Sequence, residues 1–517
     1  MNVKIIKIMA RCGTFELDCK TCFYTDHMFE VFVDGEFYGE YNNNCFTIYN
    51  LKPSKKYELA IYCQDEKVTI TFETTAEAAV LDITLFGARG DGITDCTLAL
   101  QAAVSCCPEG GTVYVPAGVY LTYPVFLKSD MTLYLEKDAV LLGGVERYRY
   151  PILPGMIEDD ELKDSLNLGS WEGNPLDSYA ALITAVGVKN LNICGEGEIN
   201  GNADASDWWE NEKVRRGAWR PKTIFLNRCN HVTLLGITVK NSPCWTIHPY
   251  YCDNVDILNI RVQNPDNSPN TDGMDPESCE NVQIIGTVIS VGDDCIALKS
   301  GKYYMGKFHP KQTKNVVIRN CLLERGHGAV VIGSEISAGI TDVCIEQCLI
   351  RNTDRGLRVK TRRGRGNMSI VDQVVYRNVR MEKVLTPFVI NMYYFCDPDG
   401  RSEYVSSKEA LPVDEMTPRI GKLLLQDVAC VDAEYAAMFF YGLKEQPIKS
   451  IELHNVSVSF LEGANPGMPA MMEGIDPMSK VGLFATNVEQ IVLENVKITG
   501  QEGERLILEN VPVIEEV

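Results

Sequence analysis

Four polar clusters occur in order in the second half of the chain: Asn270-Thr271-Asp272, Gly292-Asp293-Asp294, Gly326-His327-Gly328 and Arg358-Val359-Lys360. Three carboxylates, an imidazole and two cations are the parts of an acid–base site for an anionic substrate. Carboxylates held close together cannot all ionise freely, so at least one pKa rises. That divides them into a proton donor and proton acceptors, the division that cleavage of a glycosidic bond requires. The imidazole titrates near neutrality. Arg358 and Lys360 stand two residues apart, so on a strand they point the same way, and a guanidinium grips a carboxylate bidentately. A single Asp in a turn-rich chain is usually only a turn former; the series of four clusters carries the chemistry.

Whether the clusters meet depends on the elements that carry them. Six segments repeat one form, an apolar pair flanked by Asn or Asp: Asn190-Leu191-Asn192-Ile193, His231-Val232-Thr233-Leu234, Asn254-Val255-Asp256-Ile257, Asn281-Val282-Gln283-Ile284, Asn315-Val316-Val317-Ile318 and Asp342-Val343-Cys344-Ile345. Weaker copies sit at Ile451–Val456 and Ile491–Val496. The spacing is irregular and no helical period lies between copies, which predicts stacked coils of short strands, a parallel β-helix. From Asp272 to Asp294, to His327 and to Lys360 the chain advances by about one repeat each time. Residues one coil apart stack at about 4.8 Å, so all four clusters are predicted to share one wall. For Asp293 and Asp294 both to face outward, strand alternation must break, and Gly292 is suited to break it.

The flanking regions fit this all-β reading. Ahead of the repeats, Phe86–Asp95 leads into Leu98, Ala102, Ala103 and Cys106, spaced as one face of a capping helix, with Thr94 or Asp95 as N-cap. Residues 1–76 read as a separate small β module, with Phe29–Val33 followed by the hairpin signal Asp34-Gly35. A linker follows, and the β-helix is expected over residues 80–517. Longer intervals around 145–185, 200–220, 391–418 and 460–480 carry Trp171, Trp208, Trp209, Trp219 and Tyr393-Tyr394 and read as loops on the coil rim.

The chain has 517 residues, with 49 basic and 70 acidic side chains and a formal net charge of −21. Such a field disfavours nucleic acid and anionic membranes as partners. It also repels a polyanionic substrate, so a local basic patch is needed, and Arg358 to Arg365, with Arg362, Arg363 and Arg365, is the most basic stretch. No run approaches a membrane span. The 19 cysteines read as buried free thiols, and with no secretory signal apparent the expected setting is cytoplasmic.

The four clusters resemble the signatures of polygalacturonases, glycoside hydrolase family 28, over roughly residues 80–510, and Leu51, Pro53 and Tyr57 resemble a fibronectin type III domain. The resemblance implies a right-handed parallel β-helix behind an N-terminal β-sandwich. It also implies inverting, exo-acting hydrolysis of α-1,4-galacturonic acid linkages, with Asp293 as general acid. Asp272 and Asp294 would then hold and deprotonate the water, and inversion sets acid and base about 6.5–9.5 Å apart. His327 tunes the acid, and Asn270, Arg358 and Lys360 bind galacturonate. No cofactor or metal is called for, and the oligomeric state is left open. The alternatives are a rhamnogalacturonan-type hydrolase of the same family, a calcium-dependent pectate lyase and a non-catalytic carbohydrate-binding β-helix.

Overall fold

The computed structural model describes residues 2–157 and 166–516; of the interval 145–185, residues 158–165 lie outside the described residues. The six Asn-Val-type segments form strands Lys189–Gly195, Asn230–Leu235, Asp253–Leu258, Glu280–Ile285, Thr313–Arg319 and Ile340–Glu346. They pair in parallel with the repeat in register, Val232 beside Val255, Val282, Val316 and Val343. These valines and the Leu or Ile two residues on are buried, forming a column through the coils. The polar residue at the head of each segment has a left-handed backbone, with φ of 53° at Asn190, 56° at Asn254, 58° at Asn281 and 54° at Asn315. Asn tolerates this conformation better than other side chains with a Cβ. Its amide also links coils: Asn281 Nδ2 donates to Asn254 Oδ1 at 3.2 Å, and Asn315 Nδ2 donates to Asn281 Oδ1 at 3.2 Å.

These strands belong to a 25-stranded sheet. The other face of the coil is a four-stranded sheet ending in Ile247–Tyr250 and a seven-stranded sheet beginning Ile296–Leu298, Val330–Gly333, Arg355–Lys360 and Thr386–Asn391. One bridging rung joins them, Met274 pairing with Ile247 below and Ile296 above. The result is a continuous parallel wall.

The capping helix spans Thr97–Cys106 but turns a different face inward from the one expected. Leu100, Ala103 and Val104 are buried, whereas Leu98 is 83% exposed. Leu98 lies about 200° around the helix from Leu100, at 100° per residue, so both cannot cover the first coil. The N-cap is Cys96; Asp95, one residue earlier, accepts the Thr97 N–H at 2.9 Å.

Residues 3–73 form a three-stranded and a four-stranded antiparallel sheet over a core that includes Phe15, Phe29, Phe46, Leu59 and Phe72. This sandwich docks on the 25-stranded sheet, away from the other wall. Met9, Cys12 and Cys45 pack with Tyr134, Cys194, Leu235, Leu258 and Ile285. Buried Glu16 accepts from Arg319 Nε at 2.7 Å and from Asn320 Nδ2 at 2.7 Å. All 19 cysteines are free.

Candidate active site

The wall brings the four clusters together through strand register. Met274, Ile296, Val330 and Leu357 are successive partners. Asp272 and Asp294, each two residues ahead of its partner, therefore stack on adjacent coils; Asp293 and His327, each three ahead, do the same. Backbone bonds hold the stack: Gly273 N–H donates to Asp294 O at 2.9 Å, and His327 N–H donates to Asp293 O at 3.0 Å. The Asp pair sits on the bend between strands Val288–Ser290 and Ile296–Leu298, not on a bulge within a strand. Gly292 makes that bend possible, because a Cβ there would lie 2.6 Å from Pro265 O and 2.7 Å from Ser268 O. Arg358 and Lys360 reach back from strand Arg355–Lys360 to Asp294. Lys360 Nζ is 2.7 Å from Oδ2, and the Arg358 guanidinium is 3.4 Å from Oδ1. The Tyr394 ring lies beside both cations, 5.9 Å and 5.5 Å from centroid to charge.

Charge separates the carboxylates. Burial alone would raise the Asp294 pKa, but Lys360 and Arg358 outweigh it and hold the group at about 2. Burial and the Asp294 charge push Asp293 above the ordinary carboxylate range, against the pull of His327, Lys360 and Arg358. Burial pushes Asp272 up as well, helped by Asp275 and Asp293 and opposed by Lys299. A half-buried carboxyl whose pKa is raised beside an ionised partner has the electrostatics of a general acid. His327 Nδ1 lies 2.9 Å from Asp354 Oδ2; that hydrogen bond raises the imidazole pKa although burial opposes it.

One oxygen from each of Asp272, Asp293 and Asp294 lies within 4.8 Å of the others. This is closer than the separation expected of an inverting pair, because two of the residues are sequence neighbours and the third is one coil below. It is also a poor match for calcium, since both oxygens of Asp294 already face the chain's own cations.

Other expectations need correction. Arg362, Arg363 and Arg365 do not extend the basic patch. All three are buried and neutralised: Arg362 by Asp397 and Asp399, Arg363 by Glu445 at 2.6 Å, and Arg365 by Asp397 at 2.5 Å. A buried charge is tolerated when it is paired. Asn270 reaches the mouth of the site, lining a cleft of about 300 Å³ with Lys213, Asn267, Asp293 and His327, but its side-chain oxygen accepts from Arg220 Nη2 at 2.7 Å. Among the rim aromatics, Trp208 is core, packed with Tyr123, Tyr150 and Tyr179.

The sequence reading passed over Asp354, Asp275, Lys299 and Glu335. Asp354 and Lys299 had a signal. Asp354 follows His327 by one coil, and Lys299 alternates outward with Ala297 directly after the Asp pair. It also passed over a strap. Around Trp171 and Asn174, which bridge to each other, residues 166–176 cross the wall. Asn227 Nδ2 donates to Asn167 O at 2.9 Å at one end, and Lys302 N–H donates to Gly173 O at 2.9 Å at the other. His248, Tyr250 and Glu277 lie on the coils it crosses and are buried. The Trp171 and Trp219 rings stack at 4.7 Å beside this crossing.

Comparison with known proteins agrees with this geometry. Residues 164–460 match the glycosyl hydrolases family 28, and residues 80–134 match the rhamnogalacturonase A/epimerase, pectate lyase-like family. A probable polygalacturonase of Vitis vinifera is 32% identical over 381 residues, 72% of this chain and 73% of its own length. An exo-poly-alpha-D-galacturonosidase of Dickeya chrysanthemi is 32% identical over 66% of this chain and 61% of its own length. In three dimensions the chain is similar to the family 28 exopolygalacturonase of Yersinia enterocolitica, with a TM-score of 0.74, 19% identity and coverage of 99% of this chain and 98% of that one. At that identity the likeness speaks for the parallel β-helix fold alone. With the family match spanning more than half of its residues, the chain belongs to glycosyl hydrolases family 28 and is a glycoside hydrolase.

Proposed function

We propose that this wall hydrolyses α-1,4 linkages between galacturonic acid residues, releasing units from a chain end with inversion. One observation carries the reading: in a chain of net charge −21, Arg358 and Lys360 stand beside the Asp column, bound to Asp294 and bordering Asp293. Cations so placed bind the substrate carboxylate next to the bond that Asp293 protonates. Asp272 and Asp294 hold the attacking water between them, and His327 sets the charge felt by the acid. Asn270, fixed by Arg220, shapes the entrance.

The strap supports action at a chain end, because residues 166–176 lie across the wall on one side of the site. Polygalacturonate is the direct test. Mono- or digalacturonate as the sole early product, with slow loss of viscosity, is expected; a rapid viscosity drop would refute end-wise attack.

The carboxylate spacing favours a second reading. A separation near 5 Å is that of retaining enzymes, in which one carboxylate attacks the sugar directly. We favour the water route because the ion pairs of Asp294 occupy both of its oxygens. The anomeric configuration of the first product, read by proton NMR, decides between them. The 3+4-stranded sandwich supports reading residues 1–76 as a fibronectin type III-like buttress, and the 19 free thiols support a reducing, cytoplasmic setting.

A further inference from the structure

Beside the catalytic column lies a buried charged group that the reaction, as described so far, leaves unused. Lys299 is one residue past strand Ile296–Leu298 and points outward, because Ile296 and Leu298 point into the core. Its ammonium is 3.2 Å from Glu335 Oε2, 3.4 Å from Asp275 Oδ1 and 3.8 Å from Asp272 Oδ2. The Trp245 ring covers it, with the centroid 4.3 Å away.

The two candidate proton acceptors differ in what they already hold. Asp294 is gripped at both oxygens, and the strong ion pairs that keep it ionised make it a weak base. Asp272 is bound less tightly, and burial, Asp275 and the ionised Asp294 all favour its neutral form. A neutral Asp272 cannot take a proton. Lys299 is the cation that faces Asp272 at close range. We propose that Lys299 is a positioning residue for the hydrolysis described above: its ammonium, 3.8 Å from Asp272 Oδ2, draws Asp272 toward its ionised form and aims it at the attacking water, so that Asp272 accepts that water's proton.

The step balances. The water gives a proton to the Asp272 carboxylate as its oxygen bonds to the anomeric carbon. The glycosidic bond breaks, and the leaving oxygen takes the proton of Asp293. Solvent exchange then returns each carboxyl to its starting state.

The neighbourhood sets the signs. Lys299 faces Glu335, Asp275, Asp272 and Asp294, and Lys222, Glu277 and His248 lie around the same group. Glu335 is in turn held ionised, at about 2, by Lys299, Lys302, Lys360 and Arg365 despite its burial. Removing Lys299 removes the charge that stabilises ionised Asp272, so the acid limb of the kcat/KM profile moves to higher pH. Asp275, pushed up to about 7 by burial against the pull of Lys299, carries charge at the upper end of that limb, and removing it moves the limb to lower pH.

The experiment compares pH profiles on trigalacturonate for wild type, Lys299→Met, Lys299→Arg, Asp275→Asn and the double variant Lys299→Met/Asp275→Asn. The double variant guards against a single variant that fails to fold on account of an unpaired buried carboxylate. Opposite shifts for the two single variants are expected, with an intermediate profile for the double and partial restoration by Arg. A loss of rate with an unmoved acid limb, or shifts of the same sign, would overturn the proposal. Infrared titration of the carboxyl bands, assigned to Asp272 by its loss in Asp272→Asn, reads the same ionisation without substrate. If the wild type fails to cleave trigalacturonate, the functional reading falls. If Asp272 then titrates alike with and without Lys299, the positioning role falls separately.

Discussion

Arg358 and Lys360 end a strand, and Arg362, Arg363 and Arg365 follow within five residues; all five are buried cations, yet they do different work. The first two face a carboxylate that belongs to the wall, Asp294, beside the catalytic column. The other three face carboxylates brought by distant loops, Asp397, Asp399 and Glu445, and tie those loops to the coil. The difference teaches that the sign of a local sequence stretch does not make a binding patch. The partner decides, and for the second group the partner is structural.

Removing one member of each group tests the contrast. Of these, the largest effect on activity is expected for Lys360→Met: kcat/KM falls about 10²–10³-fold, in line with roughly 3–4 kcal/mol for an unpaired buried charge partner. The Asp294 carboxyl also titrates at higher pH, because it loses the cation that holds it low; infrared titration of its band reads this. Next is Arg363→Ala, which strands Glu445 and lowers unfolding free energy by about 3–5 kcal/mol; denaturant melts measure this, and kcat/KM per folded molecule stays within about threefold. An Arg363 variant that keeps its stability but loses substrate affinity would erase the distinction.

A smaller effect concerns the histidine. His327 is expected to titrate above its ordinary value of 6.5 because of Asp354. NMR of the imidazole in Asp354→Asn should show the midpoint moving down, and an unmoved midpoint would remove Asp354 from the site. Smallest is Asn281→Ala on the other sheet, which puts a Cβ residue without a local amide bond at a φ of 58°. It should cost about 1 kcal/mol in thermal or chemical unfolding and leave kcat/KM unchanged.

What was legible in the sequence follows the repeat. Val232, Val255, Val282, Val316 and Val343 recur because each coil buries the same position, and the Asp column could be placed because it rides on that register. Asp354 and Lys299 obeyed the same register and were open to reading. The partners of Arg362, Arg363 and Arg365 were not, because Asp397, Asp399 and Glu445 lie outside the strand period and meet the coil only in three dimensions. The same holds for the strap, where Gly173 reaches Lys302 across coils that share no local pattern with it. At the capping helix, apolar spacing placed Leu98 on the inner face, and only contact with the first coil selects Leu100, Ala103 and Val104 instead. The close carboxylate spacing was likewise out of reach, since it depends on Asp293 and Asp294 lying on a bend.

The most direct test of the central claim, that the Asp wall hydrolyses galacturonide linkages, is mass spectrometry of trigalacturonate products formed in ¹⁸O-labelled water by wild type and Asp293→Asn. The account predicts saturated fragments from the wild type carrying one label at the new reducing end, with the rate in the variant lower by about 10²–10⁴-fold. Unlabelled fragments lighter by one water, or an Asp293→Asn variant as active as the wild type, would contradict it.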